Sequence, residues 1–167
     1  MPNVAPDARA TIYTSMGEIT LELLSKKAPR TVENFVKLAN DGFYEGLTFH
    51  RILKDFAIQG GCPKGDGSGG PGYTIRPEFN DTPHVAGTVS MARDNDPHSA
   101  GSQFFICAGE VRYLDSRFSA FGQVVEGLDV VERIASVKTH DSNRWKEKST
   151  PLDAVYINRI DLEGVEF

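Results

Sequence analysis

The 167-residue sequence predicts a mainly β protein, a closed antiparallel β-barrel with two α-helices covering its open ends. Short runs of β-forming residues alternate with turns rich in Gly, Pro, Asn and Asp, and apolar residues follow helical spacing in only two segments. No internal repeat or long linker divides the chain. With 40% hydrophobic and 25% charged residues, the composition is that of an ordinary globular protein, so we expect a single domain over residues 1–167.

The first element is a predicted β-hairpin. Apolar and polar residues alternate from Thr11 to Tyr13 and from Ile19 to Leu23, on either side of a turn at Ser15-Met16-Gly17. Further β-like runs follow along the chain, at residues 47–52, 57–59, 88–91, 104–107, 118–125 and 154–160.

Two segments have the apolar spacing of a helix. The stripes are Val32, Phe35, Val36 and Ala39 in the first segment, and Leu128, Val131, Ile134 and Ala135 in the second. Pro29 at the entry, Thr31 as the N-cap and Gly42 past the end are typical boundaries for the first helix. The second helix follows Gly127.

The charge and hydropathy patterns exclude several partners. The chain carries 18 basic and 23 acidic residues, a net charge of -5, and no cluster of Lys and Arg that would bind phosphates, so we expect no nucleic-acid partner. No apolar stretch approaches the ~20 residues that span a bilayer, so no membrane association is expected. The start, Met1 to Pro6, has no pattern of a secretion signal, and we expect a cytoplasmic protein.

The common catalytic constellations are missing from the sequence. Cys62 and Cys107 form no CxxC motif, and no metal-ligand spacing joins the histidines, which are His50, His84, His98 and His140. No GxSxG motif surrounds a serine, and no carboxylate pair stands out. We therefore expect neither a metal nor a cofactor, and no hydrolytic or phosphoryl-transfer chemistry.

A glycine-dense segment runs from Gly60 to Gly72 and contains a formal GxGxxG motif between Gly65 and Gly70. A dinucleotide site requires a helix to open directly after this motif, but Pro71 follows at once. A tight surface loop is the favoured interpretation. A dinucleotide-binding enzyme stays as a third hypothesis, and the absence of a nucleotide-induced melting shift would exclude it.

Two parts of the sequence combine large aromatic residues with Arg and Gln. One is FHRILKDFAIQGG at 49–61, and the other is GTVSMAR at 87–93 continuing to SAGSQFFI at 99–106. If Arg and Gln share a strand face with Phe, they form an apolar groove with a few fixed hydrogen-bond donors. That is the general form of a ligand site.

These segments resemble the signature of the cyclophilins, FHRxxxxFxxQGG followed by SMA and GSQFFI. The resemblance continues through Tyr113-Leu114-Asp115, Phe121-Gly122 and the helix at Gly127-Leu128, in the family's order and over nearly the whole chain. It implies an eight-stranded antiparallel barrel capped by two helices. It also implies a peptidyl-prolyl cis/trans isomerase, an enzyme that assists protein folding and needs no cofactor.

The resemblance carries over a set of site residues, position by position. Arg51 matches the catalytic arginine, and Gln103 matches a polar group that orients the arginine or holds the substrate backbone. The substrate-binding positions are Phe56, Ala57, Gln59, Ala92, Arg93, Phe105, Tyr113, Leu114 and Phe118.

Four of these positions depart from the family pattern. Ala57 replaces a pocket methionine and makes one wall shallower, Arg93 replaces an asparagine whose main chain binds substrate, and Phe118 replaces a histidine at the rim. Tyr113 stands where many members carry a tryptophan that binds cyclosporin, so we expect weak cyclosporin binding. Residues 94–99 resemble the corresponding loop of prokaryotic members.

Two further residues lie outside the motif or depart from it. Trp145 falls in the polar loop from Thr139 to Thr150, where a hydrophobic anchor for the loop is favoured over a partner site. Cys62 follows the QGG turn, where the family often has an acidic residue, and a thiol switch stays open there.

The leading functional hypothesis is a monomeric enzyme that isomerises Xaa-Pro bonds in unfolded or flexible protein clients. Proline-containing peptides would be its ligands. The alternative is a proline-peptide-binding module or chaperone with little turnover, which Ala57 and Phe118 would permit. Arg51 favours the enzyme, and a measured isomerisation rate separates the two hypotheses.

Overall fold

The main feature of the fold is a curled antiparallel β-sheet. The computed structural model describes residues 2–144 and 146–167. Within them the strands are β1 (Asn3–Thr14), β2 (Gly17–Leu23), β3 (Arg51–Leu53), β4 (Ala57–Gly60), β5 (Thr88–Met91), β6 (Phe104–Cys107), β7 (Ala120–Glu126), β8 (Thr139–Asp141), β9 (Lys148–Pro151) and β10 (Ile157–Glu166). Eight of these described strands form one sheet in the order β10-β1-β2-β7-β5-β6-β4-β3, and β8 pairs with β9 in a separate hairpin. The helices are α1 (Pro29–Asn40) and α2 (Leu128–Ala135).

The two ends of the large sheet, β3 and β10, approach each other across a seam. The chain before β3 pairs with the start of β10, where the Phe49 amide donates to the Val155 carbonyl (3.0 Å) and the Ile157 amide donates to the Leu47 carbonyl (2.7 Å). An isolated bridge joins Thr48 to Tyr156. The predicted fold class is confirmed, although "closed" is slightly too strong, because this seam replaces a continuous strand ladder.

The predicted β-hairpin is confirmed as β1 and β2, which pair antiparallel with Ile12 opposite Ile19. Both isoleucines are fully buried. The turn between the strands is fixed by Thr14, whose hydroxyl donates to the Gly17 carbonyl (2.7 Å) and accepts from the Met16 amide (3.1 Å).

Helix α1 buries the predicted apolar stripe, and Pro29 occupies its first turn. The predicted N-cap is wrong. Residue Ala28 holds the cap position, and Thr31 lies inside the first turn, where its amide (2.6 Å) and hydroxyl (2.8 Å) both donate to a carboxylate oxygen of Glu78. A side chain 47 residues away therefore satisfies a first-turn amide that a local cap would otherwise serve.

Helix α2 begins after Gly127, as the sequence predicts, and buries Val131 and Ile134. Gly127 has a φ of 93°, and a Cβ atom there would lie 2.3 Å from the Glu18 carbonyl oxygen. Both the left-handed backbone and the close approach of β2 require glycine at this position.

The hydrophobic core divides into two clusters, one on each face of the central strands. Side chains on successive strand residues point to opposite faces. Ile58 and Ile106 face each other across β4 and β6 and belong to the large cluster inside the barrel. Ala57 and Cys107, also paired, belong to a smaller cluster on the outer face. The central strands are thus buried on both sides, which leaves an apolar surface outside the barrel on which a site can form.

The other predicted strands overlap the observed ones, and β5 and β6 match residue for residue. The largest differences are at β3, which begins four residues later than predicted, and at β10, which ends six residues later. The glycine-dense segment at 60–72 contains no helix after its GxGxxG motif, in agreement with the prediction of a loop. The hairpin β8–β9 is a correction, because the sequence indicated only a polar loop at 139–150.

Neither helix of the described chain has the length and apolar character needed to cross a lipid bilayer.

Candidate functional site

The candidate site begins with a row of side chains across three strands. Arg51 on β3 pairs with Gln59 on β4, and Gln59 pairs with Phe105 on β6. Paired residues in a sheet project to the same face, so the arginine, the glutamine and the phenylalanine lie side by side on the outer face. This is the arrangement that the mixed aromatic and polar segments predict.

An apolar cavity of about 100 Å³ opens beside this row, and we call it the aromatic pocket. Its lining residues are Arg51, Phe56, Gln59, Ala92, Arg93, Phe105, Leu114 and Phe118. The rings of Phe105 and Phe118 meet edge to face, with their centroids 5.7 Å apart. Aromatic and aliphatic walls with a few polar groups at one side give the pocket the character of a ligand site.

Arg51 forms the polar side of the aromatic pocket. Its guanidinium lies 6.0 Å from the ring centroid of Phe56, and its Nη1 donates to Oε1 of Gln59 (3.3 Å). Its Nε donates to Oε1 of Glu147 (2.6 Å) and its Nη2 to Oε2 of the same residue (3.3 Å). Since three of its nitrogens are engaged by protein groups, the guanidinium is held in one orientation.

A chain of amide hydrogen bonds continues from Gln59 to the glycine-dense loop. Gln59 donates through Nε2 to Oε1 of Gln103 (3.1 Å). Gln103 in turn donates to the carbonyl oxygens of Gly67 (2.9 Å) and Gly69 (2.8 Å). The loop therefore anchors Gln103 and, through it, Gln59, which accepts a hydrogen bond from Arg51.

The remaining predicted site residues lie close by but outside the lining. Ala57 is buried in the same outer-face cluster as Phe105. Gln103 lines an adjoining groove of about 360 Å³. Tyr113 is 66% exposed, and its ring lies 6.4 Å from that of Phe56.

Arg93 carries the charge that the sequence predicts at the groove, but its guanidinium is folded back. It lies 4.6 Å above the ring of Phe118 and donates to the Arg117 carbonyl through Nε (3.1 Å) and Nη2 (2.8 Å). The arginine thus covers Phe118 and orders the rim of the pocket.

Comparison with known proteins identifies the family. The sequence model described as "Cyclophilin type peptidyl-prolyl cis-trans isomerase/CLD" matches residues 9–161. The chain belongs to the cyclophilins. A peptidyl-prolyl cis-trans isomerase of Synechococcus elongatus is 50% identical over 138 residues, which are 78% of this chain and 94% of the relative. Peptidyl-prolyl cis-trans isomerase B of Bacillus subtilis is 47% identical over 121 residues, or 71% of this chain and 84% of the relative.

A solved structure is similar to this cyclophilin in fold. The cyclophilin-type isomerase of Cryptosporidium parvum, crystallised in the presence of the dipeptide Ala-Pro, superposes with a TM-score of 0.86 at 28% identity. The match covers 93% of this chain and 98% of the other. The fold, the family and the class of enzyme are thereby established, and this cyclophilin is a peptidyl-prolyl cis-trans isomerase.

A hydrogen-bond network behind the pocket of this cyclophilin was not predicted from the sequence. The His84 ring contacts Asp115 through Nδ1 (3.1 Å) and Ser90 through Nε2 (3.1 Å), and it stacks on Phe105 at 6.2 Å. Burial lowers the pKa of His84, against the opposing effect of Asp115, so the ring is neutral near pH 7. The histidine bridges a serine and an aspartate, as in a Ser-His-Asp triad, but the Ser90 side chain has no exposed surface. The network therefore supports the pocket wall and cannot supply a nucleophile.

Burial also determines the state of other reactive groups in the cyclophilin. Burial and, less strongly, the charge of Arg51 lower the pKa of His50 to about 4. Burial raises the pKa of the Cys107 thiol to about 12, as suits a core residue. Burial would also raise the pKa of Cys62, but backbone amides around its sulfur, led by that of Gly69 (3.2 Å), lower it.

Cys62 is nevertheless fully buried, so the structure offers no exposed thiol for a switch at this position. Trp145, the predicted loop anchor, lies outside the described residues. Within residues 2–144 and 146–167, no group of three or more His, Cys, Asp or Glu side chains is placed to hold a metal ion.

Proposed function

We propose that this cyclophilin holds the proline ring of an Xaa-Pro segment in the aromatic pocket while Arg51 donates a hydrogen bond to the twisted prolyl amide. The observation that carries the proposal is the position of Arg51, a permanently charged donor at the wall of an apolar cavity. Phe56, Phe105 and Leu114 would enclose the ring.

The chemistry requires no covalent step. An Xaa-Pro bond rotates over a barrier of ~18–20 kcal/mol because the amide has partial double-bond character. At the top of the barrier the prolyl nitrogen is pyramidal and its lone pair is localised, so it accepts a hydrogen bond that the planar amide does not. A donor fixed at this point stabilises the transition state over the ground state, which is what catalysis requires.

The hydrogen bond from Arg51 accounts for part of the acceleration. A charge-assisted hydrogen bond contributes roughly 1.5–3 kcal/mol, which corresponds to about one to two powers of ten in rate. Enclosure of the proline ring by apolar walls would supply a further part, because it excludes water and strengthens the electrostatic contact.

The groups around Arg51 would hold the flanking peptide. We assign Gln59 and Gln103 to the substrate backbone or to the arginine, and Ala92 to the residue before proline. The main chain of Arg93 would grip the peptide. The Cryptosporidium cyclophilin crystallised with Ala-Pro supports proline-containing peptides as ligands. In the cell, the clients would be unfolded or flexible chains of the cytoplasm, and the enzyme would act as a monomer.

The cis-trans exchange rate of a short Ala-Pro peptide, measured by NMR exchange spectroscopy, tests the proposal. Arg51→Ala should lower kcat/KM at least about tenfold, since it removes the charge-assisted donor. Arg51→Lys keeps the charge but loses the planar fork, and should fall between wild type and Arg51→Ala. Arg30→Ala, at an exposed arginine of α1, is the matched control and should leave the rate unchanged.

Wild-type activity in Arg51→Ala would contradict the arginine mechanism while leaving the family assignment intact. Peptide binding without acceleration by the wild-type protein would instead favour the alternative, a binding module with little turnover.

A further inference from the structure

The hairpin β8–β9, residues 139–151, brings an acidic side chain to the candidate site, and we call this hairpin the strap. Thr139 pairs with Pro151 and Asp141 pairs with Lys148. The Ser142 amide donates to the Glu147 carbonyl (2.9 Å) at the end of the strap's loop. Strand β9 packs against β3, the edge strand that carries Arg51. Glu147, which directly precedes β9, thereby reaches an arginine 96 residues away in the sequence.

The contact between Glu147 and Arg51 is a two-point ion pair. Nε and Nη2 of the guanidinium each meet one carboxylate oxygen, at 2.6 and 3.3 Å. This fork-to-carboxylate geometry constrains the plane of the guanidinium as well as its position. The hydrogen bond from Arg51 lowers the pKa of Glu147, so the carboxylate is ionised near neutral pH.

The burial of this pair separates it from the other ion pairs of the described chain. The side chains of Arg51 and Glu147 are only 25% and 24% exposed. Each remaining Arg or Lys pair with a carboxylate has at least one partner about half exposed. A pair shielded to this degree is screened less by salt than the exposed pairs are, so it holds its two groups together more firmly.

Glu147 contacts the arginine without itself lining the aromatic pocket. Arg51 lines the aromatic pocket, whereas the described lining of that pocket does not include Glu147. Gln59 holds Nη1 from β4 while Glu147 holds Nε and Nη2 from the strap. The guanidinium is therefore clamped between a strand and the strap at the wall of the aromatic pocket.

An arginine side chain is long and has many rotamers, so a donor of this kind loses much entropy when it settles on a substrate. If a clamp already orders the side chain in the folded protein, this entropy is lost on folding and not when the substrate reacts. We propose that Glu147 is a positioning residue, which holds the Arg51 guanidinium in the orientation from which it donates to a bound Xaa-Pro amide. This inference rests on the proposed role of Arg51.

The first test is the effect of Glu147→Gln on kcat and KM, measured by NMR exchange with an Ala-Pro peptide. Loss of positioning should lower kcat at least about threefold, with little change in KM, because the pocket walls are untouched. Glu147→Asp, which keeps the charge on a shorter side chain, should restore part of kcat. The control is Asp161→Asn, which removes an exposed carboxylate that contacts Arg159 through both oxygens (3.2 and 3.4 Å).

The second test is a double-mutant cycle with Arg51→Ala. A residue that acts through Arg51 has no effect once Arg51 is gone, so Glu147→Gln should leave the rate of Arg51→Ala unchanged. The Hε resonance of Arg51 in NMR spectra provides a direct signature. It should be protected from solvent exchange in wild type and lose that protection in Glu147→Gln.

Four results would overturn the proposal. An unchanged kcat with a lowered melting temperature would make the ion pair structural only. A raised kcat/KM with a lowered KM would mean that Glu147 competes with the substrate for Arg51. Full activity in Arg51→Ala would remove the arginine mechanism itself. If Arg51→Ala loses activity but Glu147→Gln does not, the positioning role of Glu147 is rejected while the arginine mechanism stands.

Discussion

Phe104 and Phe105 are neighbours on β6 that point to opposite faces of the sheet, so replacing each with alanine should separate stability from activity. Phe104 belongs to the large cluster inside the barrel, and Phe105 belongs to the outer cluster at the aromatic pocket. We expect Phe104→Ala to lose stability with little change in catalysis, and Phe105→Ala to lose catalysis in addition to stability.

The cost of Phe104→Ala follows from its surroundings. Phe104 is fully buried, and its ring meets those of Phe35, Tyr44 and Phe49 edge to face, at centroid distances of 5.7, 5.5 and 6.2 Å. Such a truncation costs about 3–5 kcal/mol of unfolding free energy. At roughly 2–4 °C per kcal/mol for a chain of this size, the melting temperature should fall by roughly 6–20 °C.

The cost of Phe105→Ala appears in the reaction. Its ring forms a wall of the pocket, and the apolar contact it would give a proline ring is worth about 1.5–3 kcal/mol. The loss of that contact should lower kcat/KM by about ten- to a hundredfold. Because the vacated space joins a cavity that is already open, the stability loss should be near the lower end for such truncations, about 3 kcal/mol.

Urea denaturation followed by circular dichroism and NMR exchange with an Ala-Pro peptide measure the two effects on the same samples. Phe104→Leu and Phe105→Leu serve if an alanine variant fails to fold. A Phe105 variant that keeps full activity, or a folded Phe104 variant that loses as much activity as Phe105→Ala, would refute the assignment of the site to the outer face.

Three further predictions concern single residues. Glu78→Ala should lower the unfolding free energy by about 1–2 kcal/mol, because it removes the acceptor for Thr31 at the start of α1; an unchanged urea midpoint would contradict this. His50 should titrate near pH 4 by NMR, and because its folded pKa lies below the unfolded value of about 6.5, stability should fall as the pH drops from 6.5 to 4; a midpoint above 6 would exclude the lowered pKa. Cyclosporin should bind weakly because Tyr113 replaces tryptophan, and a nanomolar Kd by calorimetry would refute that expectation.

Sequence analysis predicted the helices and strands that are marked by a pattern of neighbouring residues. Apolar spacing of 3.6 residues located both helices, and alternation bounded by turns located the strands of the large sheet. The sequence analysis stated a common face for Arg, Gln and Phe only as a condition, and the register of β3, β4 and β6 fulfils it for Arg51, Gln59 and Phe105. The individual roles of these residues in catalysis stay predictions.

The features that sequence analysis missed depend on contacts between distant segments. Glu78 serves the first turn of α1 from 47 residues away, so the local cap rule selected Thr31 instead. The strap is polar and short. Its strands show neither the alternation of apolar and polar residues nor the apolar content by which strands are recognised in a sequence. Glu147 looked like one charge in a solvated loop, because only the packing of β9 against β3 brings it to Arg51.

The pairing of β1 with β10 has a consequence for how the molecule is made. Ile12 lies opposite Ile160, so one edge of β1 lacks its hydrogen-bonding partner until β10 has left the ribosome. An unpaired edge is a template for aggregation, and contacts between segments so distant in the sequence slow folding. Glu147, too, is synthesised long after Arg51. The large sheet of this cyclophilin is thus incomplete from the synthesis of β1 until that of β10.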